Sequence, residues 1–169
     1  MSKELKQAEF LTDVEKQKLF GWGDDIFGTS SLELHWRDKD YHFLIYIAGS
    51  PVSHVGVLKH VVNVGEQSLT VGGVGGVVTI PREQNQGHAR ELMRHATRLL
   101  DEWKVDAGLL FCLQRMLPFY EAQGWQRVGQ PVLIEQPRGE IISPLEVMVL
   151  PLGAQHWPEG RVKLNSFPW

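Results

Sequence analysis

The feature that most constrains the fold is a change of hydrophobic period at Pro81. Before that proline, the run SLTVGGVGGVVTIP is rich in β-branched residues and predicts a strand. After it, apolar residues recur at the i, i+3, i+4, i+7 spacing of an amphipathic helix. This helix is predicted from about Gly87 to Trp103, with an apolar face made of Ala89, Leu92, Met93, Ala96, Leu99, Leu100 and Trp103. A strand, a turn and a helix therefore follow one another in the middle of the chain.

The segments on either side predict a mixed order of helices and strands. Thr12 or Asp13 is expected to cap a first helix that runs through Phe20 and ends at Gly21. Pro118 opens a short second helix, PFYEAQ. Further strands are predicted at LELHW, YHFLIYIAG, VSHVGVLKHVVNV, DAGLLFCL, WQRVGQ and LEVMVLPL. We therefore expect an α+β fold with a mostly antiparallel mixed sheet of six to seven strands and about four helices.

Composition excludes several classes of protein. A chain of 169 residues with 43% hydrophobic residues fits one domain, and we assign 1–169 to it. The net charge of -3 offers no basic surface for nucleic acid. A single cysteine cannot form an internal disulfide, and the sequence holds neither a signal-peptide core nor an apolar run of membrane-spanning length. The sequence predicts a cytoplasmic protein, monomer or homodimer, without nucleic-acid or membrane partners.

Four glycines interrupt the predicted strand before Pro81, namely Gly72, Gly73, Gly75 and Gly76. Glycine in a strand marks a bulge or the close approach of another backbone or a ligand. The segment QNQGHA then begins the long helix, and the unpaired amides of a helix start bind anions. The dinucleotide and nucleoside-triphosphate motifs, G-x-G-x-x-G at a strand-to-helix turn and G-x-x-x-x-G-K-[ST], do not fit here. The pattern predicts a different phosphate-bearing cofactor, with simple strand packing as the alternative.

Two segments carry a resemblance to the GNAT N-acetyltransferase superfamily. Gln84 to Ala89 has the form Q-x-x-G-x-A and resembles the family's acetyl-coenzyme A (acetyl-CoA) signature, and FYEAQGW, Phe119 to Trp125, is similar to its F-Y-x-x-x-G-[FW] segment. The resemblance implies a GNAT-like core over 8–151, with acetyl-CoA as acyl donor and Tyr120 as the acid that protonates the leaving thiolate. It also implies a cofactor site whose backbone comes from Val77, Val78, Thr79, Gln84, Asn85, Gln86, Gly87, His88 and Ala89. A half-buried, non-catalytic Tyr120 is the alternative.

Within that superfamily the layout most resembles the aminoglycoside 2'-N-acetyltransferases, which share a G-x-V-x-G-V strand and a long tail. The resemblance implies that the tail 152–169 lines the acceptor pocket. Those enzymes carry a glutamate base where this chain has Gly75, so another group must take its place if the acceptor is the same. Candidate acceptor-site residues are Asp24 and Asp25, which add negative charge, and Glu33, His35 and the Trp169 carboxylate, which are candidate bases.

The resemblance thus implies an enzyme that transfers acetyl from acetyl-CoA to the primary amine of a small molecule. Two alternatives stay open: a protein lysine or N-terminal acetyltransferase, and a non-catalytic CoA-binding protein. No metal is expected, because none of the seven histidines has a ligand spacing with cysteine or acidic partners. Cys112 lacks a neighbouring histidine or acid that would activate its thiol.

Overall fold

A computed structural model describes residues 2–153 and 156–169. Over those residues, one sheet of ten strands carries three α-helices. In chain order the elements are β1 Lys3–Ala8, α1 Asp13–Phe20, β2 Tyr41–Ile47, β3 Ser50–Val64, β4 Gln67–Thr79, α2 His88–Glu102, β5 Ala107–Cys112, α3 Leu117–Glu121, β6 Gln126–Arg127, β7 Val132–Gln136, β8 Gly139–Ile142, β9 Glu146–Pro151 and β10 Val162–Lys163. None of these helices is long and apolar enough to cross a membrane.

The sheet is antiparallel along most of its width. The main order is β1–β2–β3–β4–β5–β9–β6, and β4 and β5 are its parallel pair. The long strand β3 pairs with β4 on one side and, on the other, first with β2 and then with the short β10. β10 in turn runs parallel to β7, which forms a hairpin with β8. The sheet is therefore held together around β3 and β4.

Each face of the sheet has its own core. α2 packs its apolar stripe, with Leu92, Met93, Ala96 and Leu100 fully buried, against β2, β3 and β4. The opposite cluster includes Leu58, Leu109, Ile134, Val162 and Trp169. The amphipathic pattern of the helix thus decides which side of the helix packs on the sheet.

α1 begins with a capping box. Thr12 Oγ1 accepts a hydrogen bond from the Glu15 amide at 3.1 Å, and the Glu15 carboxylate accepts one from the Thr12 amide at 2.8 Å. The same carboxylate is buried and receives hydrogen bonds from Lys6 and Tyr46. Burial alone would raise the pKa of Glu15, but the hydrogen bonds from Lys6, Thr12 and Tyr46 outweigh it and lower the pKa to about 2.

The central helix and most strands are where the sequence predicts them, but LELHW is not a strand. Glu33 has a left-handed backbone, φ 51°, after a 3-10 turn at Ser30–Leu32. The main chain of His35 bonds to the side-chain amide of Gln136 instead of a neighbouring strand. The predicted strand therefore runs as an extended, irregular segment fastened by side chains.

The predicted α+β fold with a mostly antiparallel mixed sheet is confirmed, and the structure differs from the prediction in the numbers of strands and helices. The described chain has ten strands rather than six or seven, and three α-helices rather than about four. The additional strands are β1, β7, β8 and β10. β1 and β8 are largely exposed and lack an apolar face, and β10 is two residues long. None of these three carries the hydrophobic alternation by which a half-buried strand is predicted.

Candidate active site

The parallel strands β4 and β5 diverge near their middle. Their pairing runs from Val71 opposite Ala107 to Val74 opposite Leu110. Beyond that point β4 stays paired with β3 as far as Thr79, and β5 stays paired with β9 as far as Cys112. One edge of β4, from Gly75 to Thr79, is thereby left facing a cavity.

A β-bulge lies where the strands begin to diverge. Gly75 is opposite Gly56 and Val78 is opposite His54, so two β4 residues face the single β3 residue between them. One of the two is Gly76, whose φ of 59° lies in the left-handed region that favours glycine. The glycine-rich run therefore does contain the bulge that the sequence predicts.

Two buried histidines fasten this bulge. The Gly76 carbonyl can only accept, so His54 Nδ1–H donates to it at 2.6 Å, and His54 Nε2 accepts from His42 Nδ1–H at 2.8 Å. Burial lowers the pKa of His54 to about 3 and also lowers the pKa of His42. Both rings are therefore neutral at pH 7, and the direction of the hydrogen bonds is fixed.

A cavity of about 980 Å³ opens between the diverging strands. Its lining has two parts, which meet at Gly75. The part that we call the backbone end consists of the β4 edge Gly75–Thr79 and of Gln84, Asn85, Gly87, His88 and Ala89 from the turn and helix start. The part that we call the aromatic end consists of the side chains of Trp22, Phe27, Trp36, Lys39 and Trp169.

The backbone end offers unpaired hydrogen-bond donors. Gly87 is the N-cap of α2, and no side chain in the described part of the chain caps the helix. A Cβ at Gly87 would have open space around it, and its φ is 83°. Gln84 Nε2 donates to the Thr79 carbonyl at 3.0 Å and so ties the turn to the strand end. Free amides at a helix start of this kind are suited to an anionic group.

His88 adds a buried ring to the same end. Its Nε2 lies 3.4 Å from Glu83, while its Nδ1 has no hydrogen-bond partner among residues 2–153 and 156–169. An unpartnered buried polar atom fits a site that is completed by a ligand. Gln86, the one remaining member of the predicted set, is exposed and does not line the cavity.

Tyr120 lines the cavity from α3. Its side chain is 5% exposed and is therefore buried rather than half-buried. Burial raises its pKa well above the usual range, with a smaller contribution from Cys112, so the hydroxyl stays protonated. Cys112 also lines the cavity, and burial raises the pKa of its thiol to about 11, which disfavours a thiolate nucleophile.

Trp169 explains two of the four glycines. Its ring is 2% exposed, and Nε1–H donates to the Leu109 carbonyl at 3.0 Å. A Cβ on Gly73 would lie 2.5 Å from the ring, and a Cβ on Gly75 would lie 2.9 Å from the carbonyl carbon of Trp169. On the other face of the sheet, a Cβ on Gly72 would collide with Leu100 of α2. Because these glycines lack a side chain, Trp169 packs closely on one face of β4 and α2 packs closely on the other.

Lys39 is a cavity residue that sequence reasoning missed. Its stem lies on two glycines: a Cβ on Gly56 would be 2.6 Å from Lys39 Cγ, and a Cβ on Gly75 would be 2.7 Å from Lys39 Cε. Burial lowers the pKa of Lys39 to about 8, partly offset by Asp38. Arg115 and three half-exposed aromatic residues, Trp22, Phe27 and Trp36, were missed as well.

The other predicted acceptor residues lie outside this cavity. Asp24 and Asp25 line a separate shallow depression of about 220 Å³, where Asp25 accepts hydrogen bonds from the amide and hydroxyl of Ser30. These hydrogen bonds lower the pKa of Asp25. Glu33 and His35 are exposed on the irregular segment after the 3-10 turn. Of the predicted acceptor residues, Trp169 is thus the one that lines the large cavity.

Across 2–153 and 156–169, no group of three histidine, cysteine, aspartate or glutamate side chains is placed to hold a metal ion.

Comparisons with known proteins bear on this arrangement. A comparison with curated proteins gave no match. A GNAT family N-acetyltransferase of Escherichia coli, YhbS, solved with CoA, superposes with a TM-score of 0.63 at 13% identity over 97% of this chain and 91% of that one. A GNAT family acetyltransferase of Brucella melitensis, solved with acetyl-CoA, gives 0.57 at 13% identity over 94% of each chain.

A probable N-acyltransferase of Enterococcus faecalis is longer. It gives a TM-score of 0.55 at 17% identity over 75% of this chain, which spans 33% of its length. At such identities the structural matches show a shared fold. The family is shown by sequence: the family model of the acetyltransferase (GNAT) domain matches residues 33–128, more than half of the chain. The chain therefore belongs to the GNAT family of acetyltransferases.

Proposed function

We propose that the protein transfers the acetyl group of acetyl-CoA to a primary amine of a small molecule. The observation that carries this proposal is the cavity, which joins an open strand edge and an uncapped helix start to a buried, protonated tyrosine. In the reaction the neutral amine nitrogen attacks the thioester carbonyl, a C–N bond forms and the C–S bond breaks; the nitrogen gives up one proton to a base and the sulfur takes up one.

The backbone end would hold the acyl donor. The edge of Val77 to Thr79 has the form of a strand without a neighbour on that side, and the pantetheine arm is an extended chain with amide groups that can pair with it. Next to it, the amides of the α2 start and the ring of His88 would hold the pyrophosphate. The same short segment thus supplies both contacts.

Tyr120 would act on the departing sulfur. Because burial keeps its hydroxyl protonated, it donates a hydrogen bond to the sulfur as negative charge develops there. A donor with a raised pKa does not lose its proton before the C–S bond breaks. The same raised pKa makes the hydroxyl a weaker acid than a free phenol, so its first contribution is a hydrogen bond to the developing thiolate.

The aromatic end would receive the acceptor. Aromatic side chains around its entrance offer apolar surface, and the carboxylates of Asp24 and Asp25 lie in the neighbouring depression, which shares Ile26, Phe27 and Thr29 with the cavity. The positive charge of Lys39, which lines the cavity, repels an acceptor that carries many positive charges. A monoamine therefore fits this surface better than an aminoglycoside. Trp169, whose main chain lies beside Gly75, stays a candidate for the base.

The test is a paired measurement on the purified protein. Calorimetric titration with acetyl-CoA should show binding, and release of free CoA thiol should then identify an acceptor in a panel of monoamines, polyamines, aminoglycosides and peptides. Acetylation of peptides rather than small amines would replace the proposal by a protein acetyltransferase. Binding without turnover on any amine would leave a non-catalytic CoA-binding protein.

Tyr120→Phe is the matching substitution. We expect turnover to fall by about 10²-fold or more, with acetyl-CoA affinity nearly unchanged, because the change removes a proton donor and little contact surface. Tyr41→Phe is the control, since the Tyr41 hydroxyl donates to Gln7 and Tyr41 does not line the cavity. Unchanged turnover in Tyr120→Phe would remove this residue from the mechanism.

A further inference from the structure

We propose that Lys39 is a site of self-acetylation: its ε-amine, held in the cavity over Gly75, accepts the acetyl group when no acceptor amine is present. This inference rests on the proposed function, because it requires acetyl-CoA in the cavity.

The first support is a trough that two strands provide for the lysine stem. Gly56 of β3 and Gly75 of β4 are directly opposite each other in the sheet. A Cβ at either position would lie 2.6–2.7 Å from a carbon of the Lys39 stem, which is too close for any real contact. A solvated lysine needs no such space. The paired glycines therefore leave room for this side chain to lie on the sheet.

The second support is where the trough leads. Lys39 lines the cavity together with Gly75, Tyr120 and Cys112. Gly75 is also the residue at which the β4 edge becomes open, next to the segment Val77–Thr79 proposed to bind the pantetheine arm. Lys39 thus lines the cavity in which the acetyl end of the proposed donor would lie.

The third support is the charge state of the amine. No side-chain carboxylate within the described residues lies within 4.0 Å of Lys39 Nζ. Burial lowers its pKa to about 8, while Asp38 raises it slightly. Near pH 8 the neutral, nucleophilic form is therefore on the order of a hundredfold more abundant than in an ordinary lysine. The groups that face Lys39 in this region are Asp38, the neutral rings of His42 and His54, and the main chain of Trp169, which lies over the same Gly75.

The reaction needs no further reagent. The lone pair of Lys39 Nζ attacks the thioester carbonyl carbon, a C–N bond forms, and the C–S bond breaks with its electron pair going to sulfur. The nitrogen loses a proton and the thiolate gains one, so the products are ε-N-acetyl-Lys39 and CoA. Acetylation removes the positive charge and fills space at the aromatic end.

The test uses the full chain with acetyl-CoA and no amine. After timed incubation and digestion, mass spectrometry measures acetyl occupancy at Lys39 and at Lys59, an exposed lysine of β3 that does not line the cavity. We expect Lys39 to be acetylated at least tenfold faster than Lys59, at a rate independent of protein concentration, and faster as the pH rises through about 8.

Two controls separate this inference from general reactivity and from the proposed function. Lys39→Arg retains a cation and a long stem but cannot be acetylated, and it should abolish the fast phase while its thermal unfolding stays cooperative. Equal labelling of Lys39 and Lys59 in a protein that binds acetyl-CoA by calorimetry would overturn the inference and leave the proposed function intact. Failure to bind acetyl-CoA would overturn both.

Discussion

The two ends of the cavity are built in different ways. The backbone end is made by the edge of β4 and by the turn and helix start over 84–89, all within one short stretch of chain. The aromatic end is made by side chains from segments far apart in the sequence, such as Lys39 and Trp169, which meet over Gly75 in the fold. A site made of local backbone is recognisable from a short motif, whereas a pocket made of distant side chains depends on the whole fold.

Among the substitutions proposed here, that of Trp169 in the aromatic end should lower the free energy of unfolding most. Trp169→Ala removes a ring that is 2% exposed together with its hydrogen bond to Leu109, and we expect the free energy of unfolding to fall by about 3–5 kcal/mol. Urea denaturation measures this. Trp36→Ala, at a half-exposed position of the same end, should cost about 1 kcal/mol or less. Equal losses in the two variants would contradict the assignment of Trp169 as the structural core of this end.

Adding a methyl group at Gly73, which contacts the Trp169 ring, should lower the free energy of unfolding less than removing that ring does. Gly73→Ala places a methyl group 2.5 Å from the Trp169 ring, and such overpacking should reduce the free energy of unfolding by about 1–3 kcal/mol. Gly129→Ala is the control, because a Cβ there meets nothing within 4 Å. A neutral Gly73→Ala would show that the tail can move away from β4 at little cost.

His54, which donates to the bulge at Gly76, should make the free energy of unfolding depend on pH. The pKa of His54 is lowered to about 3, whereas an unfolded histidine has a pKa near 6.5, so below pH 6.5 the unfolded chain binds a proton that the folded chain excludes. The contribution of His54 is complete above pH 6.5 and is lost as the pH falls from 6.5 toward 3. We expect the free energy of unfolding to fall by up to about 1.4 kcal/mol per pH unit from this residue.

The measurement is urea denaturation at pH 7, 6 and 5. His54→Asn can still donate to Gly76 but does not titrate, so its slope between pH 6.5 and 5 should be shallower than that of the parent chain. Parallel slopes would mean that other groups govern acid stability in this range.

Gly87→Ala should have the smallest effect on stability and should act on the backbone end alone. The cost of a left-handed φ for alanine is about 1 kcal/mol, and no neighbour is displaced because a Cβ there meets open space. We expect acetyl-CoA affinity to fall by about tenfold, since the methyl group lies where an anion would approach the helix start. Calorimetry on both forms measures this, and an unchanged affinity would move the anion site away from Gly87.

Features made of local backbone could be predicted from the sequence, whereas contacts between distant side chains could not. α2 was predicted to within a residue at each end, because its apolar stripe is regular and Gly87 marks its start. The turn 84–89 and Tyr120 could be predicted because each belongs to a short contiguous motif, and all of these residues except Gln86 line the cavity. Their chemical roles remain predictions. The family assignment is confirmed by the match over residues 33–128.

The remainder depends on contacts between residues far apart in the chain. Lys39 was missed because its neighbours, Gly56 and Gly75, belong to two later strands and meet only in the folded sheet. LELHW was predicted as a strand from its composition, but the side chain of Gln136 pairs with the main chain of His35, and the Pro168 carbonyl accepts from the amide of Arg37, the next residue after that segment. The sequence feature that could have indicated Lys39 is a glycine in each of two predicted neighbouring strands, Gly56 and Gly75, because two such glycines leave room for a side chain to lie across the sheet.

The hydrogen bonds that run from His42 through His54 to Gly76 have a consequence for observation. The ring proton on His54 Nδ1 is shielded from solvent and points at a carbonyl of the bulge. Such a proton exchanges slowly enough to give its own resonance in an NMR spectrum, at a position sensitive to the length of the hydrogen bond. The molecule therefore contains a built-in reporter at the point where β4 and β5 diverge, and its resonance should move when a ligand occupies the open edge of β4.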